Sequence, residues 1–395
     1  MSIPILNTAS RTFQGVGYPV GTRGSFDLVI AAGRIERIEH HASRPAKWML
    51  FPPLADLHVH ANRAFTIGSA LPTSLEHAIQ MAHEVFREFD VVDYARHAER
   101  LFARALQHGT TRLRTHADIS PETVLKAVEG TLAARAQFRD RMEIEVVAFA
   151  AATTDPVEEA SRALLRTACS LGAGWLGAVP AYYADPKASI DALLDLAAQL
   201  GVRVDVHLDE HMNADKSCSL YLAEQTIARG LEGRVTLSHG CAIAALDNAA
   251  RRRVAAKLAQ ARIDVIALPS TNLYLQGRSV ESPTLRGVAP VKELLAEGVA
   301  VRFASDNVCD SFYPYGAADL LDIAQLGAIA THLDDPRMLL GAICDGVDTI
   351  QVGMEASFVL VSGASFAESL ASSRCGTRML MRRGVELNLS LKATG

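Results

Sequence analysis

The stretch VRVDVHLDEH, Val202 to His211, has two readings that lead to different folds and different chemistry. As a pattern of letters, His207, Glu210 and His211 spell H-x-x-E-H, a spacing that some zinc peptidases carry on a helix. Two ligands four residues apart share a face only at helical pitch. The residues before His207 argue for the other reading. Val202, Val204 and Val206 alternate with Arg203 and Asp205, and Gly201 supplies a turn ahead of them. Alternation with period two is strand chemistry. A strand here ends at His207 and leaves Glu210 in the loop just beyond.

Seven similar runs flank this one: 54–60, 110–118, 144–151, 175–180, 234–241, 263–269 and 299–307, all short, apolar and rich in Val, Ile and Leu. Runs of that kind read as buried parallel strands. Stretches with helical spacing lie between them, several ending at or near Gly. One such stretch opens with Ser120-Pro121-Glu122, which reads as an N-cap and first turn. Strands and helices in alternation predict an α/β fold, a (β/α)8 TIM barrel. An open doubly wound sheet would use the same alternation, but its G-x-G-x-x-G fingerprint after the first strand is missing. The two ends differ from the middle. Residues 26–41 read as two strands around Ala32-Gly33-Arg34, and the C-terminal region reads similarly around Arg383-Gly384. The expected organisation is a barrel over 51–349 and a small β-sandwich domain from 1–50 and 350–395.

Composition narrows the function. The chain has 395 residues, 49% hydrophobic and 21% charged, with a formal net charge of −5. These values suit a globular enzyme and argue against a nucleic-acid surface. Arg251-Arg252-Arg253, the densest basic cluster, reads as a solvated helix face. No run of 18 apolar residues predicts a membrane span, and the first ten residues lack the zones of a signal peptide. The six cysteines are scattered without a C-x-x-C, which points to free thiols and a cytoplasmic setting.

Chemistry in a barrel sits at the carboxyl ends of the strands. The first strand ends in His58 and His60, two apart and so on one side. The fifth ends in His207, the sixth in His239, the eighth in Asp306 and Asn307. Three imidazoles and a carboxylate from strands one, five and eight can converge on one divalent cation, zinc or iron, with a fourth imidazole beside them. His116 and Asp118 end the second strand and are read as supporting residues rather than ligands.

These strand ends also carry a resemblance. DLHVHAN (56–62), HGTTRLRTHADIS (108–120), IEVVAFA (144–150), VDVHLDE (204–210), RVTLSHG (234–240), NLYLQGR (272–278) and SDNVCDSFYPYG (305–316) are together similar to the amidohydrolase superfamily, and within it to the cytosine deaminase family. The resemblance implies one metal bound by His58, His60, His207 and Asp306, with Glu210, His239 and Asp306 acting in catalysis. It implies hydrolytic deamination of a small amino-substituted N-heterocycle. The fourth strand ends without the Lys that two-metal members need. The H-x-E of His97–Glu99 has no P-C-x-x-C to make a cytidine-type zinc site. The family usually carries Gln where Ala151 stands, and often Asp and Trp where Asn307 and Phe312 stand, so the pocket is expected to differ. Gln276, Asn307 and Phe312 are candidate substrate contacts, and Tyr182, Tyr183 and Tyr313 candidate wall residues. Cytosine- or isocytosine-like rings, aminotriazines, pterins and creatinine-like rings fit such a site. The alternatives are cleavage of a C–N bond to an alkylamine or ring amide, and a metal-holding barrel without turnover. The expected partner is the small-molecule substrate, with no nucleic acid, no membrane, and assembly as a homo-oligomer open.

Overall fold

The computed structural model describes residues 10–20, 24–68, 70–278 and 285–389. The stretch Met1–Ala9, read above for a leader, lies outside the described residues. Among the described residues fifteen strands form two sheets. Strands β1 (Arg11–Gly17), β2 (Ser25–Ala31), β3 (Arg34–His41) and β4 (Trp48–Phe51) come first. The next eight are β5 (Leu54–Val59), β6 (Thr110–Ile119), β7 (Glu143–Ala150), β8 (Trp175–Ala178), β9 (Arg203–Leu208), β10 (Val235–His239), β11 (Asp264–Ala267) and β12 (Val301–Phe303). The chain closes with β13 (Phe358–Ser362), β14 (Arg378–Arg382) and β15 (Val385–Leu387).

Strands β5 to β12 form one parallel eight-stranded sheet in sequential order, with helices between them: a (β/α)8 barrel. Buried Val, Leu and Ala dominate its strands, as two-sided burial requires. The opening stretch is strand β9, and its buried residues run to Leu208 before the chain turns into a loop. No helix carries His207 and His211.

The first and last barrel strands join through the functional residues themselves. Val59 pairs with Asp306 in a parallel bridge. Asp306 N donates to His58 O at 2.8 Å, and His60 N donates to Asp306 O at 3.1 Å. The β5–β6 register also slips between Asp56 and Val59, beside His58. Such a bulge re-aims side chains at a barrel rim.

The ends of the chain supply a seven-stranded sheet, ordered β15-β14-β13-β4-β1-β2-β3. Its own core packs Phe13, Leu28, Ile35, Leu50 and Phe358, with Phe13 and Phe358 edge to face at 5.6 Å.

The helices start where local chemistry directs. Helix α1 spans Leu75–Phe86, with Ser74 accepting from the His77 amide. Helix α2, Val91–Gln107, opens on a reciprocal capping box between Asp90 and Asp93. Ser120-Pro121-Glu122 behaves differently from the reading above. The next helix begins only at Lys126, without a side-chain cap. Ser120 Oγ accepts from Glu122 N and Thr123 N in a tight turn, and Thr123 Oγ1 donates to Asp118 O at 2.9 Å. The serine caps this short turn rather than the helix, and it is Thr123 that anchors the end of β6 at Asp118. Among the described residues no helix is long and apolar enough to cross a membrane, and the six cysteines form no disulfide.

Helix Leu320–Thr331 packs tightly on β12, where a Cβ on Gly327 would lie 2.4 Å from the buried Phe303 ring. Gly327→Ala is therefore expected to cost about 1–3 kcal/mol, read as a lowered midpoint in chemical denaturation. An unchanged midpoint would show that the ring is free to give way.

Candidate metal centre and its cavity

The strand ends bring together residues up to 248 positions apart in the chain, from His58 to Asp306. His60 Nε2 lies 3.1 Å from His207 Nε2 and 3.5 Å from Asp306 Oδ1, and His58 Nε2 lies 3.7 Å from the same oxygen. All four side chains are buried. Burial lowers the pKa of His58 to about 3 and depresses those of His60 and His207 well below the usual value. The three rings are neutral at pH 7, the form that ligates metal.

Whether this set suits a cation can be tested on its unpaired atoms. His58 Nε2 and both carboxylate oxygens of Asp306 are buried without a hydrogen-bond partner. Burial pushes the Asp306 carboxyl up to about 7. Buried polar atoms left without partners are costly and call for an explanation. The neutral imidazoles of His60 and His207 also point nitrogen at nitrogen. A tetrahedral ion with bonds of about 2.0–2.1 Å holds its ligand atoms roughly 3.3 Å apart. The three separations above scatter around that value, and ligand atoms of His58, His116 and His207, and of His58, His239 and Asp306, lie within 4.8 Å of one another, so these strand ends offer groups that could hold a divalent cation.

The outer nitrogen of His58 is fixed by a chain of hydrogen bonds. His58 Nδ1 lies 2.8 Å from Ser238 Oγ, whose hydroxyl donates to Asp205 Oδ1 at 2.6 Å. The hydroxyl proton is committed to Asp205, so Nδ1 carries the imidazole hydrogen and Nε2 keeps its lone pair. Arg114 Nη1 donates to Asp205 Oδ2 at 2.9 Å. Arg114 is placed in turn by Glu145 at 3.0 Å and by the Trp175 ring 3.5 Å beneath it. His116 stacks on His58 at 4.1 Å, with Nε2 3.6 Å from Asp205 Oδ1.

Glu210 and His239 stand beside this cluster. His239 Nδ1 is 3.5 Å from Glu210 Oε1 and 3.0 Å from the amide nitrogen of Asn272. The Asn272 amide makes Nδ1 an acceptor and leaves the hydrogen on Nε2, which has no partner. Burial, then the nearby Asp306, holds the Glu210 carboxyl well above its usual pKa. His239 and Asp306 both adopt positive φ, +76° and +59°. Asp209, before Glu210, does so at +57°, and its carboxylate is tied to the amides of Cys218 and Ser219. Strained backbone of this kind persists where surrounding bonds over-determine it.

These groups open into a cavity at the carboxyl ends of the strands. His60, His207, Glu210, His239 and Asp306 lie at its inner end. Helix α1 forms one wall with Leu75, Ile79, Ala82 and Phe86; Phe149, Ala151, Val179, Tyr182 and Phe312 complete the apolar lining. Arg63, Asp118 and Asn307 add polar groups. Asn307 thus reaches the cavity, with its Oδ1 accepting from Arg63 at 3.1 Å and its amide donating to Thr271 at 3.3 Å. Gln276 lines an adjoining groove, and its amide donates to Glu210 O at 2.9 Å. Tyr183 is spent on packing, its hydroxyl donating to Ala150 O at 2.7 Å. Tyr313 packs with Tyr274 and Tyr315 away from the cavity. Sequence reasoning missed α1 as a wall, Arg63 as a lining residue, and Ser238 and Asp205 behind His58. For Ser238 the signal was its place beside His239 at a strand end; for α1 none marked it out from other amphipathic helices.

An eight-stranded parallel barrel with a buried histidine–carboxylate cluster at its carboxyl end defines the class: a barrel protein whose strand ends could hold a divalent cation. Residues 63–340 match the amidohydrolase family, and the chain belongs to it, a family of hydrolases acting on C–N bonds that normally bind a divalent metal. The chain is 29% identical to a pterin deaminase of Rhizobium rhizogenes, over 92% of this chain and 88% of that protein. It is 27% identical to an N-isopropylammelide isopropyl amidohydrolase of a Pseudomonas species, over 86% of this chain and 88% of that one. The crystal structure of a 5-methylcytosine deaminase from Klebsiella pneumoniae, liganded with 5-fluorocytosine, superposes with a TM-score of 0.85 at 25% identity, covering 96% of this chain and 97% of that one.

Outer-shell partners of metal ligands typically contribute 10–100-fold in affinity. Ser238→Ala is expected to weaken zinc binding by about tenfold or more in a chelator competition, with the far-ultraviolet circular dichroism unchanged. Undiminished affinity would detach the hydrogen-bond chain from the cation.

Proposed function

We propose that this chain is a single-metal hydrolytic deaminase that replaces the amino group of a small N-heterocycle with oxygen and releases ammonia. The observation that carries the reading is the meeting of His58, His60, His207 and Asp306 beside a buried Glu210, whose carboxyl burial holds well above its usual pKa, on the lining of one largely apolar cavity. His58, His60, His207 and Asp306 would hold one divalent cation, zinc or iron. When bound, such an ion supplies a water that ionises near neutral pH.

The protein's own groups then manage protons. A carboxylate oxygen of Asp306 accepts the proton of the attacking water. Glu210, protonated because it is buried, donates to the ring nitrogen next to the amino-bearing carbon. This makes that carbon electrophilic as its bond to oxygen forms. His239 donates from Nε2 to the incoming oxygen and steadies its charge. Glu210, now a carboxylate, takes the remaining proton of the added hydroxyl and passes it to the amino group; the C–N bond breaks, ammonia leaves as the carbon becomes a carbonyl, and the proton held by Asp306 returns to Glu210. The leaving nitrogen must be protonated to depart, which is why one carboxyl close to both nitrogens is needed. Phe149, Phe312 and the wall of α1 exclude bulk water from the ring. Gln276 and Asn307 act here as positioning groups, one through the backbone of Glu210 and one through Arg63. The barrel, read as 51–349, carries all of these residues; 1–50 and 350–395 form the flanking unit.

A second reading has one observation in its favour. The apolar face of α1, with Leu75 and Ile79, would accept an alkyl group, and one relative is an isopropyl amidohydrolase. The products separate the two readings. The test is a screen of iron- and zinc-loaded protein for ammonia and for alkylamine over aminopyrimidines, aminotriazines and pterins. Ammonia release supports the proposal; alkylamine release alone moves the chain to the second reading.

Two variants sharpen the test. Glu210→Gln should retain its metal and lose about 10²–10⁴-fold in kcat, and near-native turnover would remove Glu210 from the mechanism. His207→Ala should strip the metal, measured by elemental analysis. The raised pKa of Glu210 also sets a sign. Its working form is protonated, so kcat/KM should fall on the alkaline side, at a pH well above the ordinary carboxyl value.

A further inference from the structure

A heterocycle that offers its amino-bearing carbon to Glu210 and Asp306 must find partners for its remaining polar edge. Much of the lining is apolar, Ala151 and most of α1 included; away from the histidine cluster its polar side chains are Arg63, His83, Asp118, Ser120, Tyr182 and Asn307. Arg63 and Asp118 form the charged pair on the lining. Both are buried, and Arg63 Nη1 lies 3.3 Å from Asp118 Oδ1.

Neither group is exhausted by the contacts it makes. The guanidinium has five N–H donors. One goes to Asp118 and one to Asn307, while Nε, 3.5 Å from Asp310 Oδ2, makes no hydrogen bond. Asp118 accepts from Asn62 and Arg63, which uses about half of the four lone-pair positions of a carboxylate. The Phe312 ring packs against the flat face of the guanidinium at 4.1 Å, so the group is held in one orientation. Asp118 and Asp310 offset its charge, so the corner favours a neutral ligand over an anion.

A fixed donor beside a fixed acceptor matches one common feature of nitrogen heterocycles, the ring lactam. Its carbonyl accepts from Arg63 while its N–H donates to Asp118. We propose that Arg63 and Asp118 are the recognition edge of this site, and that its substrates are neutral amino-heterocycles carrying a ring lactam. This assignment rests on the deaminase reading above and narrows its substrate class. A site built on paired polar contacts rejects analogues that leave them unpaired.

The probes are isocytosine, which carries the lactam, and 2-amino-4-methoxypyrimidine, the same ring without the N–H. Binding is measured by calorimetry on the zinc-loaded Glu210→Gln protein, where turnover is suppressed. Ammonia release is measured on the zinc-loaded wild type. Isocytosine should bind at least about tenfold more tightly than the methoxy ring. Arg63→Gln should erase that preference by weakening isocytosine alone. Arg63→Lys keeps the charge facing Asp118 and Asp310, so it guards against misfolding, and it should lose most of the preference because it lacks the planar fork. Equal affinity for the two probes, no binding of either, or an equal loss for both in the Arg63 variants overturns the proposal. Selective binding without ammonia from either ring leaves the lactam edge standing and removes the deaminase reading. Equal ammonia release from both rings does the reverse.

Discussion

One buried carboxylate organises the inside of this barrel. Asp205 is fully enclosed, and it joins four strands: Arg114 and His116 from β6, its own β9, Ser238 from β10 and, through that serine, His58 from β5. A charge in such surroundings is stable only when paired and hydrogen-bonded. Arg114 supplies the pairing, and the Ser238 hydroxyl turns the remaining capacity towards His58. Removing one partner of such a pair typically costs about 3–5 kcal/mol. The orientation of a site imidazole is thereby tied to the stability of the barrel core.

The barrel and the strand-end residues could be read from sequence because each depends on local pattern. Alternation around Val204 and Val206 marks a strand, and the spacing of His58 and His60 puts both on one side. Residues that act through convergence left no such trace. Arg63 is a lone arginine after an H-x-H, and only the fold reveals that Asp118, Asn307 and Phe312 surround it. Ser120 was misjudged for a related reason. Its sequence context is that of a helix cap, and its hydroxyl does accept from the amides of Glu122 and Thr123, but the turn it caps ends before the helix that begins at Lys126. Helix α1 has ordinary amphipathic spacing, and nothing local says that its apolar face borders a cavity rather than the core.

The relatives divide along the same line. Proteins at 25–29% identity to this chain carry names that include a pterin deaminase, an isopropyl amidohydrolase and a 5-methylcytosine deaminase. A shared barrel with variable loops at its mouth accounts for such a spread. In this chain the groups placed nearest the proposed cation come from strand ends, whereas α1 and the segment around Arg63 lie in the connection between β5 and β6. The proposed recognition edge draws on both, Arg63 from that connection and Asp118 from the end of β6.

The seam between β5 and β12 has an implication for how the enzyme matures. Asp306 trades main-chain hydrogen bonds with His58 and His60, so the oxygen donor arrives only when the last strand zips onto the first. During synthesis three imidazoles emerge long before their acidic partner, and the nascent chain holds an incomplete set until nearly the whole barrel has been made. With the proposed ligands, capture of an ion and sealing of the cylinder would coincide, and the protein without its ion would be expected to loosen first along that one seam.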